Sequence, residues 1–171
     1  MFYKASLDTT TKVMSAFVAV LFVFLGNQSV TEIIASNDDL STLLLHTWIL
    51  LVMLTTFVGA YLFSVRGYLI KGDTLIIRRH VRPRNIAFAD IESVRMPDPK
   101  EFSGTIRTFG VGGLFGYFGK FWNRRLGSMT WYATQAKNRV LIKTKSGKKI
   151  VITPDDVRLF DLLRSRSDNG V

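Results

Sequence analysis

Leu43 to Phe63 reads LLLHTWILLVMLTTFVGAYLF, twenty-one residues without a charge. As a helix rising about 1.5 Å per residue it is roughly 31 Å long, close to the ~30 Å hydrocarbon core of a bilayer. A helix apolar on every side needs a cover on every side. The rest of a 171-residue chain is too small to bury it as the core of a soluble domain. A membrane-spanning helix is therefore expected over about 43–65. Trp48 and Tyr61 lie near its two ends, where amphipathic rings sit at the headgroup level. His46 reads as a polar residue near the interface, since a proton relay needs a partner and none is visible.

Val13 to Val30 is a second apolar stretch, ending in Asn27 and Gln28 with Glu32 soon after. Its eighteen residues span only about 27 Å, a short helix over about 11–30 with its polar end at the interface. A cleaved signal peptide fits the same residues, with Lys4 and Lys12 as its charged region. No small-x-small cleavage site follows the apolar core, which favours a retained helix.

Charge divides the chain at the same place. The net formal charge is +10. Residues 1–65 carry two Lys against four acids, and residues 66–171 carry the other 21 basic groups against nine. The connector Gly26–Thr42 has three acids and no Lys or Arg, whereas Lys4, Lys12, Arg66, Lys71, Arg78 and Arg79 flank the apolar stretches. The positive-inside rule then sets both ends in the cytoplasm, with a short acidic loop outside. Two domains are expected: a transmembrane helical hairpin, 1–65, and a cytoplasmic domain, 66–171. Having no Cys, the chain is excluded from disulfide, thiolate-metal and Cys-nucleophile chemistry.

The basic part alternates with period two. Gly67–Lys71 and Thr74–His80 flank Gly72-Asp73, a hairpin signal. Asn85–Ile91 and Ile91–Met96 read as strands joined at a bend, closed by Pro97 and Pro99. Ser128–Thr134, Arg139–Lys145 and Lys149–Thr153 complete about seven strands. A terminal helix is expected to start at Thr153 as N-cap with Pro154 in its first turn. Val157, Phe160 and Leu163, with Leu159 and Leu162, would form its apolar stripe. The expected class is α+β: an N-terminal helical hairpin, then an antiparallel β-barrel or sandwich capped by one C-terminal helix.

This order resembles the pleckstrin-homology-like fold, and in particular the bacterial pleckstrin-homology-like membrane proteins with N-terminal transmembrane helices. The resemblance rests on Ile86-Ala87-Phe88-Ala89-Asp90-Ile91-Glu92-Ser93-Val94 and the glycine-rich run Gly110–Gly119. It rests further on Tyr132-Ala133-Thr134, Val140–Thr144, Gly147 and Ile150–Asp155. It implies a membrane-tethered domain of a bacterial inner membrane, multi-pass, with no known activity and no cofactor.

Gly104–Gly127 stands apart from the strand pattern. Its glycines are interleaved with Phe109, Phe115, Tyr117, Phe118, Phe121 and Trp122, and with Arg107, Lys120, Arg124 and Arg125. It has neither Gly-Lys-Ser/Thr nor the spacing of a dinucleotide fingerprint. Two readings stay open. One is a long connection whose glycines allow tight bends while its aromatics fold back over the domain. The other is an interfacial element, its rings at the acyl boundary and its cations on anionic headgroups or a membrane partner. In the second case Phe118, Phe121 and Trp122 would be replaceable by Ser without loss of fold.

Arg78, Arg79, Arg82 and Arg84 form a second basic cluster. It is either a charged sheet edge that discourages aggregation or an anion site for lipid headgroups. In eukaryotic relatives of the fold, basic residues around the first hairpin loop hold phosphoinositide. Here that loop shrinks to Lys71-Gly72-Asp73-Thr74 and contains an acid. His80 stands alone, so neither a metal site nor a histidine-based nucleophile pair is formed. The expectation is a non-catalytic binding or scaffold module whose partners are anionic lipid headgroups, a membrane protein, or both. An accessory subunit of a membrane complex is the alternative. A nucleic-acid-binding domain is disfavoured, because the tether to the membrane is short.

Overall fold

The computed structural model describes residues 1–35 and 39–168. Two long helices come first, α1 (Thr9–Ala35) and α2 (Leu40–Phe63), and both are long and apolar enough to cross a bilayer. α1 outruns the expected 11–30. Val30 and Ile34 prolong its apolar surface, and the Thr31 hydroxyl donates back to the Asn27 carbonyl at 3.0 Å, so this polar side chain bonds within the helix instead of ending it. α2 begins earlier than expected, because the Asp39 carboxylate caps the amides of Ser41 and Thr42. It also ends earlier, since Val65 already belongs to a strand. The helices meet along one seam, where the Phe22 and Phe57 rings lie 6.0 Å apart and Gly26 faces Leu50. Parts of the expected acidic connector and C-terminal tail, residues 36–38 and 169–171, lie outside the described residues.

The rest of the chain builds two sheets that do not close into a barrel. The first has the order β1-β2-β3-β4, with β1 Phe2–Lys4, β2 Val65–Lys71, β3 Thr74–Arg79 and β4 Arg84–Ala87. The second contains β5 (Ile91–Arg95), β6 (Ile106–Gly112), β7 (Tyr117–Asn123), β8 (Gly127–Ala133), β9 (Val140–Thr144) and β10 (Lys149–Ile152), in the order β5-β9-β10-β8-β7-β6. All seven expected strands are present. The three additional ones are β1, β6 and β7. One pairing departs from the expected antiparallel pattern: β10 runs parallel to β8, because β9 skips one place in the sheet and β10 returns into the gap between β9 and β8.

A single 3-10 turn, Phe88–Asp90, passes the chain from one sheet to the other. It buries Phe88, and this is the bend expected between the strands of residues 85–96. The centre of the second sheet is buried on both faces, while its edge strand β6 is exposed. One face packs Val140, Ile142, Ile150 and Ile152 against Tyr68, Leu75 and Ile77 of the first sheet. The other packs Phe121, Met129, Trp131 and Val151 beneath Phe102 and Leu126.

The terminal helix, α3 (Arg158–Asp168), starts later than expected. The Thr153 hydroxyl is taken by the Thr134 amide at 2.9 Å, and Asp156 accepts from the Arg158 amide at 2.9 Å. The stripe is also redrawn: Leu159 and Leu163, one turn apart, are fully buried, while Val157 is 42% exposed.

The residues ahead of α1 belong to the sheet domain. Tyr3 pairs with Tyr68 in β2. The carboxylate of Asp155 accepts from the amide and hydroxyl of Ser6 at 2.9 and 2.6 Å. The Asp8 carboxylate accepts from the Thr11 amide at 2.8 Å and from the Ala136 amide at 3.0 Å. Both helices therefore leave the domain from one side.

Candidate binding site

Residues 104–127 are mostly strand instead of a long connection. They contain an antiparallel hairpin, β6–β7, whose register shifts once between Arg107 and Phe109, continued into β8. Gly110 and Gly119 lie opposite each other, both at positive φ (107° and 125°). A Cβ on Gly119 would stand 2.2 Å from the Phe109 carbonyl oxygen, and one on Gly110 would stand 2.3 Å from that of Phe118. The crossing is so close that only glycine fits on either side.

The hairpin tip is inserted against the helices. The Phe115 amide donates to the Ser15 hydroxyl of α1 at 2.9 Å. The Phe115 ring meets Phe57 and Tyr61 of α2 edge-on, at 5.1 and 5.7 Å. Phe115 is thereby occupied within the molecule. The other aromatics divide between the two faces of the hairpin. Phe121 stacks on Trp131 at 4.6 Å and is core, with Tyr117 packed beside that cluster. Phe118 is also buried. Replacing Phe118 and Phe121 by Ser would thus strike the fold, contrary to the expectation from sequence. Phe109 (75% exposed) and Trp122 (45%), together with Ile106, are open to the outside. Register sets Ile106 opposite Trp122 and Phe109 opposite Lys120, so the four share one sheet face. Arg107, Lys120, Arg124 and Arg125 are exposed, and Arg125 donates to the Lys100 carbonyl at 3.2 Å.

The second basic cluster separates in the same way. Arg78 is exposed over the Phe2 ring. Arg82, at φ 54°, and Arg84 on the edge strand are exposed. Arg79 alone turns inward. Its guanidinium lies 5.6 Å from the Phe63 ring and 5.4 Å from the Tyr132 ring, and its Nη2 donates to the Arg82 carbonyl. Its Nε is enclosed without a hydrogen-bond partner among the described residues. Arg79 lines a groove of about 430 Å³ between the end of α2 and the hairpin, walled by Gly59, Ala60, Phe63, Val111, Phe118 and Tyr132. The α2 end is itself tied to the segment just after β3: the Val81 amide donates to the Leu62 carbonyl at 3.1 Å, and His80 packs on Tyr61 at 4.3 Å.

Two features escaped sequence reasoning. The contribution of Gly59, Ala60 and Phe63 to a groove carries no sequence mark, since these residues look like any others in an apolar helix. Arg139 is half-buried between Phe102 and Trp131, at 4.9 and 5.3 Å, and burial lowers its pKa. Its place at the start of the expected strand Arg139–Lys145 was the only available hint. Among the described residues no three His, Asp or Glu side chains gather as a metal site.

Two sheets crossing at a 3-10 turn, with one helix over the open end, define a helix-capped, PH-like sandwich, here built onto two long apolar helices. The family model for the bacterial PH domain matches residues 66–167, and the chain belongs to that family. No curated protein and no solved structure shows significant similarity to the chain.

Proposed function

We propose that the protein is a membrane-anchored, non-catalytic binding module of the bacterial inner membrane, holding its PH domain on the cytoplasmic face. There the domain meets anionic lipid or a membrane protein. The carrying observation is the insertion of the Phe115 tip between the domain-side ends of α1 and α2. With both helices leaving from one side, a bilayer crossed by them would lie beside the exposed face of Ile106, Phe109 and Trp122. Full burial of such a side chain contributes about 1.5–3 kcal/mol, and each nearby Lys or Arg adds about 1 kcal/mol on an anionic leaflet. Lys120 shares that face.

The chain has no native Cys, so single labels are clean. Phe109→Cys, carrying an environment-sensitive fluorophore in full-length protein reconstituted in anionic bilayers, should be quenched by lipid-borne quenchers. Arg158→Cys, at the start of α3, should not. Equal quenching at both sites, or at neither, would sink the interfacial orientation. Reporter fusions at both ends should read as cytoplasmic.

A further inference from the structure

We infer that the groove between α2 and the β6–β7 hairpin is a binding site for one anionic phospholipid of the adjoining leaflet. Arg79 holds the phosphate, and the helix and hairpin walls hold the start of an acyl chain. The inference rests on the membrane-anchored reading and adds a ligand to it.

Arg79 carries the argument. A guanidinium has five N–H donors. Here one donates to the Arg82 carbonyl, while Nε is enclosed and unpaired. Among the described residues the other donors of this half-buried guanidinium have no acceptor, and a phosphate oxygen in the groove would supply one. The rings of Phe63 and Tyr132 hold the planar group in place, so little of its freedom remains to be lost on binding. No acidic side chain is among the residues lining the groove, so nothing there repels an anion and nothing there pairs the ammonium of a zwitterionic headgroup.

The walls explain why the anion is a lipid. Gly59, Ala60 and Phe63 are within about 6 Å of one another along α2 at ~1.5 Å per residue, on the helix that a bilayer would surround. The groove is thus continuous with a lipid-facing surface. A Cβ on Gly59 would meet nothing within 4 Å, so the space beside it is open. Its volume, about 430 Å³, falls within the roughly 300–1,000 Å³ of ligand sites. The first hairpin turn is a poorer anion site, since its Asp73 is paired with Arg166 at 3.1 Å.

The test uses full-length protein in detergent micelles, titrated with phosphatidylglycerol and read by native mass spectrometry. The wild type should hold one phosphatidylglycerol more tightly than phosphatidylcholine, and millimolar glycerol phosphate should not displace it. Charge-assisted hydrogen bonds contribute about 1.5–3 kcal/mol, so Arg79→Gln should weaken the first binding event about tenfold or more. Arg158→Gln, exposed at the start of α3 and away from the groove, should leave it unchanged. Gly59→Leu fills the groove without touching Arg79 and should block binding even if Arg79→Gln disturbs folding. First-lipid affinity equal in wild type and Gly59→Leu, displacement by glycerol phosphate, or a second copy of the chain in place of the lipid overturns the site. Carbonate washing of membranes separates the two levels. Loss of the wild type from the membrane fraction defeats the anchored reading and the lipid site with it. Retention of the wild type with unaltered Gly59→Leu binding defeats the lipid site alone.

Discussion

The phenol of Tyr68 donates a 2.7 Å hydrogen bond to the main-chain carbonyl of Tyr132, joining the two sheets through their shared core. The same oxygen accepts from the Thr153 amide at 2.9 Å. Tyr68 is fully buried, and burial pushes its ionisation well above the ordinary phenol range. Tyr68→Phe keeps the ring but leaves a buried amide and carbonyl unpaired. The expected loss is about 1–3 kcal/mol, read as a lower urea midpoint with an unchanged m-value. A midpoint equal to the wild type would mean that the two groups find other partners.

Gly119→Ala should be far worse than Gly147→Ala. Both glycines have positive φ, so alanine is strained at either, by about 1–3 kcal/mol. At Gly147 the added methyl meets nothing within 4 Å, whereas at Gly119 it meets the Phe109 carbonyl. Thermal unfolding of the two variants provides the comparison, and equal shifts would refute the close crossing of β6 and β7.

Asp8 ties the start of α1 to the loop after β8. Burial raises its pKa, but hydrogen bonds from Thr11 and Ala136 outweigh it and hold the carboxyl below its ordinary value. A depressed carboxylate contributes stability above its unfolded pKa, near 3.9 for Asp. That contribution is lost as pH falls through the lower folded value. Stability should therefore hold from neutral pH to about pH 5 and decline below about 4, with a shallower decline in Asp8→Asn. Asp8→Asn itself should lose about 0.5–2 kcal/mol as a weakened cap and loop contact. Identical acid profiles in the two proteins would remove Asp8 from the account.

Phe121→Ser and Phe109→Ser should part company. Phe121 is stacked in the core, and its truncation should cost about 3–5 kcal/mol. Phe109 is 75% exposed, and its replacement should change stability in micelles by within about 0.5 kcal/mol. Denaturation midpoints of the two variants decide it.

The strands from Ser128 to Thr153 were legible from β-branched and aromatic residues bounded by turns, and those from Gly67 to Met96 because one face of each strand meets a core. Alternation along the chain records that directly. The hairpin β6–β7 was not legible. Its glycines remove side chains from the alternation, and its aromatics point to both faces, so Phe118 and Phe121 looked equivalent to Phe109 and Trp122. The same limit applied to the arginines: Arg78 and Arg79 are neighbours in sequence, yet one lies over Phe2 at the surface and the other between Phe63 and Tyr132.

Two long apolar helices, the charge boundary beside residue 65, and seven strands with a terminal helix are readable in the order of residues alone. Each of these is a local property: a run without charge, a period of two, or a turn residue between two runs. Tertiary structure alone decided that Phe2–Lys4 joins β2, that β10 lies parallel to β8, and that Phe115 enters between the helices. It also decided that Arg79 faces a groove. These are pairings between segments far apart in the chain, and they are selected by which surfaces fit when everything folds together. No short stretch of residues carries that information.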